Sequence, residues 1–97
     1  MALIPNPITQ RFTASGAIGS GNKPIKVFNV NLVSTATAST CSIKDNGSGG
    51  TIYDQIDGLS SKSVSKNYAG GLRLPTNGYF TADGSISLAT IIYSEDA

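Results

Sequence analysis

Residues Cys41 to Tyr53 read C-S-I-K-D-N-G-S-G-G-T-I-Y, and this stretch decides the fold class. Cys41 and Ile43 share one parity while Ser42 and Lys44 take the other, and Thr51-Ile52-Tyr53 resumes after the connector Asp45 to Gly50. Successive side chains of a strand point to opposite faces, so such alternation marks a strand with one face toward a core. Two β-prone runs around a glycine-rich connector predict a hairpin with a longer loop.

The same period extends in both directions. Pro24 stands just before a strand, where a missing N–H costs little. Phe28, Val30 and Leu32 are then expected to face a core with Asn29 and Asn31 opposite. Ile25 and Val27 fall on the other parity, which predicts a bulge or twist near Val27 and Phe28. The small residues of Ser34 to Thr40 fit either a loop or an exposed strand. Downstream, Asp57-Gly58 turns, Val64 to Tyr68 is a polar strand broken at Gly70-Gly71, and Leu72 to Leu74 alternates until Pro75. Asn77-Gly78 turns into Tyr79 to Ala82, and Asp83-Gly84 turns into Ser85 to Tyr93. In that last run Ile86, Leu88 and Ile92 share one face, and Ala89, Ile91 and Tyr93 the other. A strand apolar on both faces is covered on both sides, or its outer face meets another subunit. Ile91 and Tyr93 are the interface candidates. No window sustains helical spacing. Counting Ile8 to Ser15 as the first, seven or eight short strands with turns every ~8–12 residues predict an all-β chain, a small antiparallel β-sandwich of jelly-roll or immunoglobulin-like type. Residues 1–97 form a single domain on this reading, since 97 residues leave no room for a second core.

Composition narrows the chemistry. Only 13% of residues are charged, and polarity comes from hydroxyls and amides. Seven Lys and Arg against six Asp and Glu give +1, which predicts no net field to gather nucleic acid or an acidic membrane. The chain has no His, no Trp and one Cys, so His-based triads and the common zinc, haem and iron-sulfur sites are excluded within one chain. Cys41 has no intrachain partner and reads as a small buried strand residue. Pro5 interrupts the N-terminus before any basic or apolar segment develops, and no run approaches the ~20 apolar residues of a membrane span. A soluble chain made in the cytoplasm is expected.

The motifs that suggest chemistry resolve into turns. Gly16 to Lys23, GAIGSGNK, resembles a phosphate-cradling loop, but Asn22 separates the second glycine of the pattern from Lys23 and a strand follows where a helix is required. Asp45-Asn46-Gly47-Ser48-Gly49 offers oxygen ligands, yet position twelve of a calcium loop would be Ile56. Asn46-Gly47-Ser48 matches a glycosylation acceptor that needs a secretory route. Asp54 and Asp57 form a close carboxylate pair, without the cleft that a glycosidase needs. Lys62 and Lys66 lie in a polar run and supply no obvious base to the abundant serines. Tyr53, Tyr68, Tyr79 and Tyr93 suit sandwich edges before a sugar-stacking platform. No catalytic, cofactor or metal residue is assigned.

The ending, Asn77-Gly78-Tyr79-Phe80, a Gly84-Ser85 turn and the run Ala89 to Tyr93, reads as a closing hairpin. With the DNGSGG turn and the TIYD strand, Ile25 to Tyr93 resembles the small β-sandwich virion proteins of tailed bacteriophages. These serve as capsid decoration or cement proteins, head fibres or small tail components, usually as trimers or higher oligomers. The resemblance implies a decoration protein on the capsid surface that binds the major capsid protein. It further implies a homotrimer synthesised in the host cytoplasm; the scattered cations, the lack of a long apolar run, and the missing His with sparse carboxylates separately predict no nucleic-acid partner, no membrane partner and no enzymatic activity. A head-fibre or tail module that recognises a host glycan or protein is the alternative. Met1 to Pro7 is expected to be an extended arm on a neighbouring subunit, because Pro5 and Pro7 preclude a helix and Leu3 and Ile4 supply apolar anchors.

Overall fold

The computed structural model describes residues 7–95. Its elements are all strands: β1 (Ile8–Phe12), β2 (Gly16–Ile18), β3 (Ile25–Ser34), β4 (Thr40–Asp45), β5 (Thr51–Asp57), β6 (Ser63–Leu74), β7 (Gly78–Ala82) and β8 (Ile86–Glu95). They form two four-stranded antiparallel sheets. Sheet I has the order β1-β8-β3-β6 and sheet II the order β2-β7-β4-β5. The pairs β1–β8, β2–β7, β3–β6 and β4–β5 are nested, as in one long hairpin rolled over itself. This is the jelly-roll winding, and it decides between the two sandwich types the sequence allowed.

The expected β4–β5 hairpin is present, with Cys41 opposite Ile56 and Ile43 opposite Asp54. It is the one place where consecutive strands share a sheet. The closing hairpin is therefore corrected: β7 pairs with β2 and β4, β8 pairs with β1 and β3, and Asp83-Gly84 carries the chain between sheets. Gly70-Gly71 does not break a strand either. β6 runs through it, with a wide bulge in which Tyr68 to Gly71 oppose Phe28 alone. Against β8, Phe28 is the extra residue of the expected bulge, and it is half-exposed instead of facing the core, while Val27 points inward. Thr35 to Ser39 is a loop. Its backbone is tied by Thr35 N–H to Ser85 O at 2.9 Å and Ser61 N–H to Thr35 O at 2.7 Å.

Ile18, Ile25, Val27, Val30, Leu32, Ile43, Leu74, Phe80 and Ile91 are fully enclosed between the sheets. Each such side chain contributes about 1.5–3 kcal/mol by leaving water. The rings of Phe12 and Phe80 meet across the sheets with centroids 5.1 Å apart at 44°. Cys41 lies in this core, and burial, with the nearby Asp83 carboxylate adding to it, pushes its thiol up to about 11.

Candidate interaction surface

Most carboxylates serve the fold. Asp45, at the end of β4, accepts the backbone N–H groups of Thr76 at 2.8 Å and Asn77 at 3.2 Å, and Asn77 Oδ1 in turn accepts Gly47 N–H at 2.9 Å. The oxygen-rich loop is thereby clasped to the β6–β7 connection. Gly50 has no alternative there, since a Cβ would lie 1.8 Å from Asp45 O. Among the described residues no group of three or more potential metal ligands converges. The glycine-rich turn after β2 does hold an anion, its own Glu95. One Glu95 oxygen accepts Ser20 Oγ at 2.7 Å and Ser20 N–H at 3.1 Å, and these bonds hold the carboxyl below its usual range.

Both open sides of the sandwich are closed by polar clips. At the β5/β6 side Asp54 Oδ2 accepts the Tyr68 hydroxyl at 2.7 Å and pairs with Lys66 Nζ at 2.6 Å. Partial burial raises the Asp54 pKa, but the bonds from Lys66 and Tyr68 outweigh that and hold it low. Burial and the same carboxylate push Tyr68 up. At the β1/β2 side Gln10 donates to Ala17 O at 3.2 Å and accepts Gly19 N–H at 2.9 Å. Asp54 and Asp57, the carboxylate pair of the sequence, end on opposite faces of β5, because Asp54 lies opposite inward Ile43 and Asp57 opposite exposed Thr40. The four tyrosines also separate: Tyr68 in the clip, Tyr93 in the core, Tyr53 exposed at an edge, and Tyr79 on the outside of sheet II.

The broadest unused surface is the outside of sheet I. In register it carries the rows Thr9–Ile92–Asn29–Asn67 and Arg11–Thr90–Asn31–Ser65, continued by Leu88 and Val33. Leu88 and Ile92, on the central strand β8, are half-exposed, as are Val33 and Phe28. Asn29 Nδ2 donates to Asn67 Oδ1 at 2.5 Å and to Ser65 Oγ at 3.3 Å, which fixes the amides across strands. Lys26 lies opposite both Ser94 and Arg73 on this face. Its aliphatic stem crosses Gly71, where φ is +89° and a Cβ would meet Lys26 Cγ at 2.2 Å and Phe28 Cε1 at 3.1 Å. The outside of sheet II is smaller, with the row Ala17–Tyr79–Lys44–Ile52 beside Tyr53 and exposed Asp57.

Of the interface residues expected from sequence, Leu3, Ile4 and Pro5 lie outside the described residues, and Pro7 is exposed immediately before β1. Ile91 and Tyr93 are corrected, at 0% and 3% exposure. They pair with Gln10 and Ile8 of β1 on the core side. The outward side of the same strand belongs to Leu88, Thr90 and Ile92. Ile86 shares parity with these and is nevertheless buried, because the register slips between Ser34, opposite Ile86, and Val33, opposite Leu88. That bulge at Ser87 made the outward parity look like a core face, and the small Ala89 on the other parity was the residue that could have revealed it.

No family model and no curated protein sequence matches the chain. Among solved structures, one from work describing Bacillus endospore appendages as a novel family of disulfide-linked pili is similar in fold, with a TM-score of 0.54 and 11% identity. The alignment covers 95% of this chain and 87% of that one.

Proposed function

We propose that this chain is a structural virion protein, a capsid decoration protein that binds and reinforces the major capsid protein shell of a tailed bacteriophage and has no catalytic turnover. The observation that carries the reading is the outside of sheet I, where the central strand of a four-stranded sheet presents Leu88 and Ile92 beside amides tied across strands. Half-exposed apolar groups on regular strands form a surface suited to protein contact. The internal use of Asp45, Asp54 and Glu95 supports a binding role over an acid–base one. The fold shared with the pilus structure is compatible with assembly, although Cys41 is buried and single and offers no disulfide linkage.

The protein works as a homotrimer on this proposal, and its effect is collective: a modest interface per copy becomes large when neighbouring shell subunits are bridged. Particles lacking it are expected to assemble and to break at lower temperature or weaker osmotic shock. Equal robustness combined with failure to adsorb to host cells would replace this reading with receptor recognition. Sedimentation of the purified protein at micromolar concentration tests the trimer, and a purely monomeric species would remove it.

A further inference from the structure

The strands of sheet I contain Arg11, Lys26, Lys66 and Arg73 but a single carboxylate, Glu95, which is spent on Ser20. Lys66 turns to Asp54 at the edge. Arg11 and Lys26 remain on the outer face, Arg11 exposed and Lys26 half-exposed, and no ion pair forms to either among the described residues. From strand spacing and rise they stand about 15 Å apart, with Thr90, Ile92 and Asn29 between them. Arg73 is cross-strand from Lys26 on the same face and has contacts of its own.

From this placement we infer that the outside of sheet I docks on a protein surface that presents carboxylates to Arg11 and Lys26 and apolar groups to Leu88 and Ile92. The inference rests on the proposed function, in which that surface belongs to the capsid shell. Charge complementarity selects the sign of the partner. The apolar and amide groups that separate Arg11 from the Lys26 and Arg73 pair select a protein over nucleic acid, which would need a continuous run of cations along its phosphates.

The test uses capsids prepared from a mutant lacking this protein, with the purified chain added back and co-sedimentation measured at about 0.05 M and about 0.5 M NaCl, which straddle the Debye length of ~10 Å at 0.1 M. Wild type is expected to bind at low salt and to weaken about tenfold or more at high salt. Arg11→Glu/Lys26→Glu is expected to lose at least about tenfold at low salt, and Thr90→Glu, set between them, to lose binding in the same sense. Lys44→Glu, on sheet II, is expected to bind as wild type. Thermal melting of each variant reports whether it is folded. Binding that is salt-insensitive and survives both face variants overturns this inference and leaves the decoration reading standing. Absence of binding at either salt overturns both. Retention of a ~30-base-pair DNA duplex that the face variants abolish would assign the surface to nucleic acid and also overturn the inference.

Discussion

The two sheets of this sandwich differ in charge as much as in position. Sheet I strands hold four cations, Arg11, Lys26, Lys66 and Arg73, against Glu95, whereas sheet II strands hold Lys44 against Asp45, Asp54 and Asp57. The chain as a whole is +1. Near-neutrality therefore describes the sum and conceals a polarity between the layers. The lesson lies in the winding: a jelly roll sends nearly every successive strand to the opposite sheet, so residues that are scattered along the chain are sorted by layer in space.

The largest difference is expected between the two sides of β8. Ile91→Ala should cost about 2–5 kcal/mol in denaturant unfolding, because it empties a fully enclosed site. Ile92→Ala, one residue away on the outer face, should cost less than about 1 kcal/mol. Equal losses would show that the two sides of sheet I had been confused.

Sheet II depends on the β4–β5 connection, and here two adjacent glycines sharpen the picture. Gly50→Ala should destabilise by about 1–3 kcal/mol, since its Cβ would collide with backbone. Gly49→Ala, which meets nothing within 4 Å, should fall within about 0.5 kcal/mol of wild type. A tolerated Gly50→Ala would mean that the Asp45 clasp is looser than its hydrogen bonds indicate.

The clip that joins the layers gives a smaller effect. Tyr68→Phe removes one hydrogen bond to a partly exposed carboxylate and should cost about 1 kcal/mol. An unchanged melting temperature would assign closure of that edge to Lys66 alone.

Acid should produce the gentlest and most general change. The Asp54 pKa is lowered because hydrogen bonds from Lys66 and Tyr68 outweigh burial. Asp83 is lowered by the backbone N–H groups of Ser85 and Thr40, and Glu95 by Ser20. Each folded pKa lies below the ordinary value of 3.8 for Asp and 4.5 for Glu, so the unfolded chain takes up protons first as pH falls. Stability should be constant from neutrality to about pH 5 and decline as pH falls through the ordinary carboxylate range toward the lower folded values. A melting temperature that stayed level down to pH 3 would contradict these bonds.

Much of this could be read along the chain. The period-two pattern of Cys41, Ile43, Val30 and Leu32, the β4–β5 hairpin, the bulge beside Val27 and the turn chemistry of Asp45 to Gly50 are local consequences of side-chain alternation and backbone freedom. The surface was less legible. A bulge at Ser87 displaced Ile86 from the parity of its neighbours, and the apolar side chains of β8 then offered two faces with nothing local to choose between them. The clips at Asp54, Gln10 and Glu95 join residues separated by as many as 75 positions, beyond the reach of any motif.

The all-β class, the approximate number of strands and the exclusion of histidine chemistry follow directly from residue types and a period of two. That Asp83-Gly84 crosses between sheets instead of closing a hairpin, that Ile91 is core and Ile92 surface, and that Arg11 and Lys26 share a face are set by the packing of the two layers. The physical reason is that a turn sets the direction of the next strand, while the choice between pairing beside the previous strand and packing across from it is made by burial summed over the whole sandwich.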